Sequence, residues 1–306
     1  MIMTIPTPRD FSFKRTVMSH GWSSLPPFEL DEKNWVLTRV LDVGNQQPVT
    51  VRVAAAQRAV TIRADRPLGQ RAAQRVQRDV RHILRLDDDL REFYRVVKKD
   101  PEFAWIGRVG AGRLLRAPTV FEDLVKLICT TNCSWSLTKI MVAGLVNNLG
   151  RQAKDGRRAF PTPAAMAEAP VKFYRDEVRA GYRAPYLKEV AERVASGALD
   201  VESWLTSALP TPELKREMKR IKGVGDYAAE NLMRLVGRYD GLALDSWVRA
   251  TFARLRGNGS PATDEQIAAC YARFDKWGGL ALWCDVTRDW LDEKAQDGKK
   301  TEGRKQ

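Results

Sequence analysis

Apolar and polar positions change their period once along the chain, and the change divides it. Up to about residue 65 the β-branched and apolar residues come in short runs, at 35–41, 49–53 and 59–63, parted by turn residues such as Gly44 and Asn45. Runs of that length and composition predict three strands, and Pro26-Pro27 and Pro67-Leu68-Gly69 bracket them. From Gln70 onward the spacing becomes helical, with Val76, Val80 and Ile83 on one face. Helices are predicted over 121–127, 136–149, 186–196, 212–221, 227–236, 247–256, 267–277 and 280–291, and no repeat of fixed period runs through them. The expected fold class is α+β: a mostly α chain with a small N-terminal antiparallel β unit over 1–66. The body then covers 67–291, and the charged, Gly-containing 292–306 stretch reads as a disordered tail.

Charge adds a partner class. The 306 residues hold 51 Lys and Arg against 38 Asp and Glu, a formal +13, which suits a polyanion such as nucleic acid. Arg71, Arg75, Arg78, Arg81 and Arg85 recur at helical spacing. They lie either along phosphates or, more simply, on a solvated face with ion pairs to residues such as Asp79. No apolar run approaches the roughly 18 residues that a bilayer span needs, so no membrane is expected. The first residues lack the charged region and apolar stretch of a secretory signal, so an intracellular, DNA-associated protein is expected. Cys129, Cys133, Cys270 and Cys284 form no C-x-x-C pair and read as reduced thiols rather than metal ligands.

The informative stretch is 211–256. Thr211 is placed to cap a helix whose first turn holds Pro212 and Glu213. That helix gives way to Lys222-Gly223-Val224-Gly225-Asp226, with Asp226 placed to cap the next one. Glycine permits the tight turn, and the amides at the second helix's N-terminus can hold a phosphate. Taken alone, Gly-Val-Gly is equally an ordinary helix–helix turn. Twenty positions after Gly225, Asp245 opens another helix in Leu244-Asp245-Ser246-Trp247-Val248. It is either a helix cap or an acid facing a reacting group, and the two roles are compatible.

The string Ile221-Lys222-Gly223-Val224-Gly225-Asp226-Tyr227-Ala228-Ala229-Glu230-Asn231, followed by Leu244-Asp245-Ser246-Trp247-Val248, resembles the helix-hairpin-helix DNA glycosylase signature. The likeness extends to the 8-oxoguanine and alkylpurine branches. Gly112–Arg116 and Leu127–Asn132 look like the segment that presents a DNA-contacting Asn, and 181–186 is similar to a loop whose Tyr and Arg fill the gap left by a flipped base. The resemblance implies two helical subdomains with a cleft between them, a monomer, and double-stranded DNA with a damaged base as partner. Lys222, Gly223, Val224, Gly225 and Asp226 would then grip the DNA backbone, and Asn132, Tyr182 and Arg183 would occupy the vacated space. Trp135, Tyr227, Asn231 and Trp247 would line the base pocket, with Trp283 as a further candidate for stacking. No cofactor is implied beyond a monovalent cation at the hairpin.

Two departures shape the expected chemistry. Tyr227 stands where bifunctional members carry a lysine that attacks the sugar, and tyrosine cannot form a Schiff base. Asn231 stands where 8-oxoguanine enzymes place a cysteine, and the four clustered cysteines of the iron–sulfur branch are absent. Breaking an N-glycosidic bond develops oxocarbenium charge, which the Asp245 carboxylate would stabilise. The expectation is a monofunctional glycosylase of alkylated or deaminated purines, since an aromatic wall favours an electron-poor base. The alternatives are an oxidised-purine glycosylase and a non-catalytic helix-hairpin-helix DNA-binding protein.

Overall fold

A computed structural model describes residues 1–44 and 46–291; the turn residue Asn45 and the 292–306 tail lie outside the described residues. The N-terminal stretch forms one antiparallel sheet of five strands, β1 (Ile2–Pro6), β2 (Phe28–Asp31), β3 (Val36–Leu41), β4 (Val49–Ala56) and β5 (Ala59–Ala64). Their order is β1-β5-β4-β3-β2, with Val53 opposite Ile62 and Val51 opposite Ala64 at the centre. The three strands predicted from the sequence are the inner three. Both edge strands were missed, because five and four residues give too few alternations to stand out, although β1 alternates exposed and buried side chains cleanly.

Fourteen helices fall among the described residues. The first are α1 (Phe13–Val17), α2 (Gln70–Ile83), α3 (Arg91–Lys98), α4 (Trp105–Val109), α5 (Val120–Thr130), α6 (Trp135–Leu149), α7 (Pro163–Glu168) and α8 (Val171–Asp176). They are followed by α9 (Ala184–Ala195), α10 (Thr211–Lys219), α11 (Asp226–Leu235), α12 (Ser246–Arg256), α13 (Asp264–Tyr271) and α14 (Gly278–Val286). The sequence reading ran one helix through 267–277. In the structure α13 stops at Tyr271, and a 3-10 segment kinked at Asp275 (φ 50°) carries the chain to α14. One apolar core runs through sheet and helices alike. The sheet is fastened to the body by a buried ionic cluster, in which Arg39 of β3 donates to Glu122 of α5 at 2.9 Å while Lys126 pairs with the same carboxylate at 2.7 Å.

Two arginines set the helix that matters most. On α2, Arg71, Arg75 and Arg78 are exposed, as the stripe predicts. Arg85 leaves that stripe: α2 has already ended, φ is +54°, and the side chain is 1% exposed. It donates to the carbonyls of Arg234 and Leu235 at 3.1 and 3.0 Å, and Arg116 reaches Leu235 at 3.3 Å. These are terminal carbonyls of α11 with no partner inside the helix, and cations are favoured there. Helix α11 is thus held from its C-terminal end, with its N-terminal end turned to the cleft described next.

Candidate active site

Helices α10 and α11 meet in a hairpin whose glycines have different tasks. Gly223 has φ +89°, and a Cβ there would lie 3.0 Å from the Tyr186 ring of α9, so both backbone and space demand glycine. Gly225 caps α11 in extended conformation, and a Cβ on it would meet nothing within 4 Å. No side chain caps the first amides of α11, which leaves them for an anion. Between the glycines Val224 turns inward, 5% exposed, and its N–H donates to Ile221 at 3.0 Å. Two expectations for this segment need correction. Pro210, not Thr211, precedes the first turn of α10. Asp226 does not cap α11, because its carboxylate is taken by Lys219 at 2.9 Å and Lys215 at 3.1 Å. Those ammonium groups, the Lys219 hydrogen bond first, hold the Asp226 carboxyl below its usual range. Lys222 is exposed and pairs with Glu189 at 2.8 Å.

Asp245 lies across from the hairpin. It is half-buried and caps α12, its Oδ1 accepting from the Val248 N–H at 2.7 Å. The loop that delivers it is tightly fixed. Glu230 of α11 accepts from the Ala243 N–H at 2.5 Å and pairs with Lys215 at 2.5 Å. Arg234 of the same helix donates to the Leu242 carbonyl. Gly279 of α14 donates to Tyr239 at 2.8 Å, and a Cβ there would fall 1.9 Å from the Gly241 oxygen. Only glycine lets α14 approach this loop.

Hairpin and acid border one cleft of about 1620 Å³. Tyr227, Asn231 and Arg234, spaced i, i+4, i+7 on α11, all line it. The Tyr227 phenol is raised above its ordinary pKa, by burial first and by the Asp245 charge second. Asn231 is on the wall, but its amide donates to the Tyr227 carbonyl at 2.9 Å. Trp135 and Trp247 are 39% and 40% exposed. The Trp135 ring lies so close over Gly21 that a Cβ there would sit 2.4 Å from it. Trp247 belongs to a cluster with Trp283 and Trp290, at ring separations of 6.0 and 5.6 Å.

At the cleft rim Asn132, in the left-handed region at φ +46°, donates to the Tyr182 hydroxyl at 3.4 Å, and Tyr182 is 51% exposed. Both are therefore exposed at the rim. Arg183 is not. It is 3% exposed, its guanidinium holds the Thr131 carbonyl and hydroxyl, and it lies 4.4 Å from the Tyr182 ring centre. Bound on both sides, it supports the rim rather than leaving it.

Sequence reasoning missed His20, Trp22, Arg234 and Trp290, all on the cleft wall. Arg234 had a usable signal, because it falls seven residues after Tyr227 on the same helix face. His20 and Trp22 come from a separate part of the chain, and only tertiary packing brings them in. Loss of water around His20 pulls its pKa down to about 4, and its Nε2 contacts the Leu115 carbonyl. Burial lowers the Arg234 guanidinium to about 10, against the opposing charges of Glu230, Tyr227 and Asp245.

No protein-family model matches the sequence, and no curated relative matches it either. Solved structures do match. A 3-methyladenine DNA-glycosylase from Archaeoglobus fulgidus superposes with TM-score 0.74 at 20% identity, over 94% of this chain and 98% of its own. MBOgg1, solved with a low-affinity DNA ligand, gives TM-score 0.73 at 22% identity, over 94% and 95%. The Clostridium acetobutylicum 8-oxoguanine glycosylase/lyase gives 0.72 at 21% identity, over 93% and 95%. Together with the hairpin, the capping acid and the N-terminal sheet, these matches establish that the chain has the fold of the helix-hairpin-helix DNA glycosylases.

Proposed function

We propose that this chain is a monofunctional DNA N-glycosylase that removes an alkylated or deaminated purine flipped out of the duplex. The observation that carries the reading is the Asp245 carboxylate. It is fixed by the α12 amide at 2.7 Å on the wall of the cleft that the open hairpin also borders. The hairpin amides and Lys222 would take phosphates, while Tyr182 and Asn132 at the rim would fill the space left by the extruded nucleotide. A solved neighbour, the Clostridium acetobutylicum enzyme, is seen on double-stranded DNA with cytosine opposite 8-oxoguanine, which supports DNA as the partner.

As the C1′–N bond breaks, positive charge grows on the sugar, and Asp245 lies where a carboxylate can stabilise it. Water adds its oxygen to C1′ and keeps one hydrogen as the new hydroxyl, while the other passes to Asp245 and returns through solvent to the departing base, so that OH goes to the sugar and H to the base. No amine occupies the position of Tyr227, so hydrolysis ends at an intact abasic strand. Duplexes with single lesions, split with and without hot alkali, test this. Strand breaks should appear only after alkali, and Asp245→Asn should lower base release by about 10²–10³-fold while keeping duplex binding. Breaks without alkali, or trapping of the chain on DNA by borohydride, would refute the monofunctional assignment.

A further inference from the structure

The wall of the cleft holds two polar groups that the reaction above does not use. Arg234 is 2% exposed, and although its Nη atoms hold the Leu242 carbonyl and Asn231, its Nε has no hydrogen-bond partner among the described residues. That Nε is closed off from the cleft, whereas Nη1 spends one of its two hydrogens on Asn231 at 3.4 Å, which leaves the other for an acceptor in the cleft. The guanidinium lies 5.2 Å from the centre of the Trp283 ring, another wall of the cleft. His20 lines the same cleft, with Nε2 facing the Leu115 carbonyl. A carbonyl only accepts, so Nε2 carries the hydrogen and Nδ1 keeps a lone pair. Its low pKa keeps the ring neutral at physiological pH, and the charge of Arg234 is one of the causes.

The stripe Tyr227–Asn231–Arg234 advances about 10 Å along α11, at roughly 1.5 Å per residue. That matches a flipped nucleotide with its sugar near Tyr227 and Asp245 and its base edge directed inward. Asn231 is committed to its own helix at 2.9 Å, which leaves Arg234 and His20 to meet that edge. We propose that Arg234 and His20 are specificity-determining residues that read the carbonyl–N1–H edge of a neutral 6-oxopurine and reject a purine with a fixed positive charge. The inference rests on the glycosylase reading above and narrows it. Arg234 offers a donor to O6, and His20 offers an acceptor to N1–H. Adenine presents the opposite pattern, an amino donor beside an acceptor. A cationic alkylpurine brings a second positive charge against a guanidinium already stripped of water, where repulsion is least screened. Guanine shares the 6-oxopurine edge, and its exclusion falls to the flipping step, which costs most for a well-paired base.

The test is single-turnover base release, read as alkali-labile breaks and corrected for uncatalysed depurination. Four lesions separate the terms: hypoxanthine and 8-oxoguanine carry the edge, 7-methylguanine carries it with a fixed charge, and 1,N6-ethenoadenine is neutral without a carbonyl. The wild type should release hypoxanthine or 8-oxoguanine at least about tenfold faster than either of the others. Arg234→Met slackens the Asp245 loop for every lesion, so the reading appears in the ratio: release of the oxopurines should fall about 10- to 100-fold relative to that of 7-methylguanine. His20→Phe should lower it without relieving the rejection of 7-methylguanine, and Arg234→Lys should retain the rejection while losing the reading. Melting curves identify any variant that fails to fold, in which case the other two decide. Release of 7-methylguanine or ethenoadenine as fast as the oxopurines, or an equal fall for all lesions in folded variants, overturns the pair but leaves the glycosylase reading standing. Release of no base by the wild type overturns both.

Discussion

The two ends of α11 are built on opposite terms. At the N-terminal end the hairpin is open: nothing lies near a Cβ on Gly225, and Asp226, Lys219 and Lys222 form exposed ion pairs. At the C-terminal end Arg85 and Arg234 are 1% and 2% exposed, and Arg85 is bonded to backbone carbonyls. Exposed pairs gain little from each other and exchange readily for a phosphate. Buried cations are set rigidly and are costly to disturb. On the proposed function, one helix would offer DNA a wet, adaptable grip and the base a dry, preorganised wall. Large effects are expected from changes at the dry end and small ones from the wet end.

The largest should come from Arg85→Met. The change takes a donor from each of the last carbonyls of α11 and removes the closest cation from Asp88, which Arg85 holds at 2.6 Å. Breaking a buried charge network costs about 3–5 kcal/mol, to be read as a lower urea midpoint with unchanged slope. A loss below about 1 kcal/mol would mean that the C-terminal end is no more rigid than the hairpin. Next is the pH response of His20. Its folded pKa of about 4 lies below the 6.5 of the unfolded chain. The unfolded chain therefore binds the proton first, and the stability contributed is whole above pH 6.5 and lost as pH falls towards 4. At 1.36 kcal/mol per unit this amounts to about 3 kcal/mol. Urea titrations across that window should show wild type losing that much relative to His20→Gln; parallel curves would place His20 in water rather than in the cleft wall.

The same contrast explains what the sequence revealed. The hairpin was legible because the positive φ at Gly223 demands glycine there and Gly225 follows at the spacing of the signature, although at Gly225 neither φ nor space demands it. Asp245 was legible because a capping acid marks a helix start. The inner strands were legible through β-branched runs, whereas β1 and β2 were too short to register. Most of the dry end was not legible, because Arg85 after α2 and His20 before the second strand converge from distant segments, and only Arg234, seven residues after Tyr227 on α11, left a signal. Arg85 even imitated a surface stripe, since helical spacing continues in the sequence after the helix has stopped. Arg183 shows the same limit, because a rim residue and a rim support share one motif and differ only in burial.

At the wet end, Gly223→Ala should cost about 1–2 kcal/mol, because alanine is strained at φ +89° and its methyl group meets Tyr186. Urea unfolding reads that loss, and duplex affinity should fall with it as the hairpin amides lose their orientation. Unchanged stability would mean that the turn can flip to another conformation. The smallest effect is expected from Lys222→Gln. The side chain is 65% exposed and its pair with Glu189 is of the weak surface kind, so folding stability should move by less than about 0.5 kcal/mol. Its mark should appear in duplex binding. If Lys222 exchanges Glu189 for a phosphate, the slope of log affinity against log salt should fall by about 0.9, one released counterion, for damaged and undamaged duplexes alike. A change that depended on the lesion would place Lys222 at the base instead, and the division between a wet backbone grip and a dry base wall would have to be redrawn.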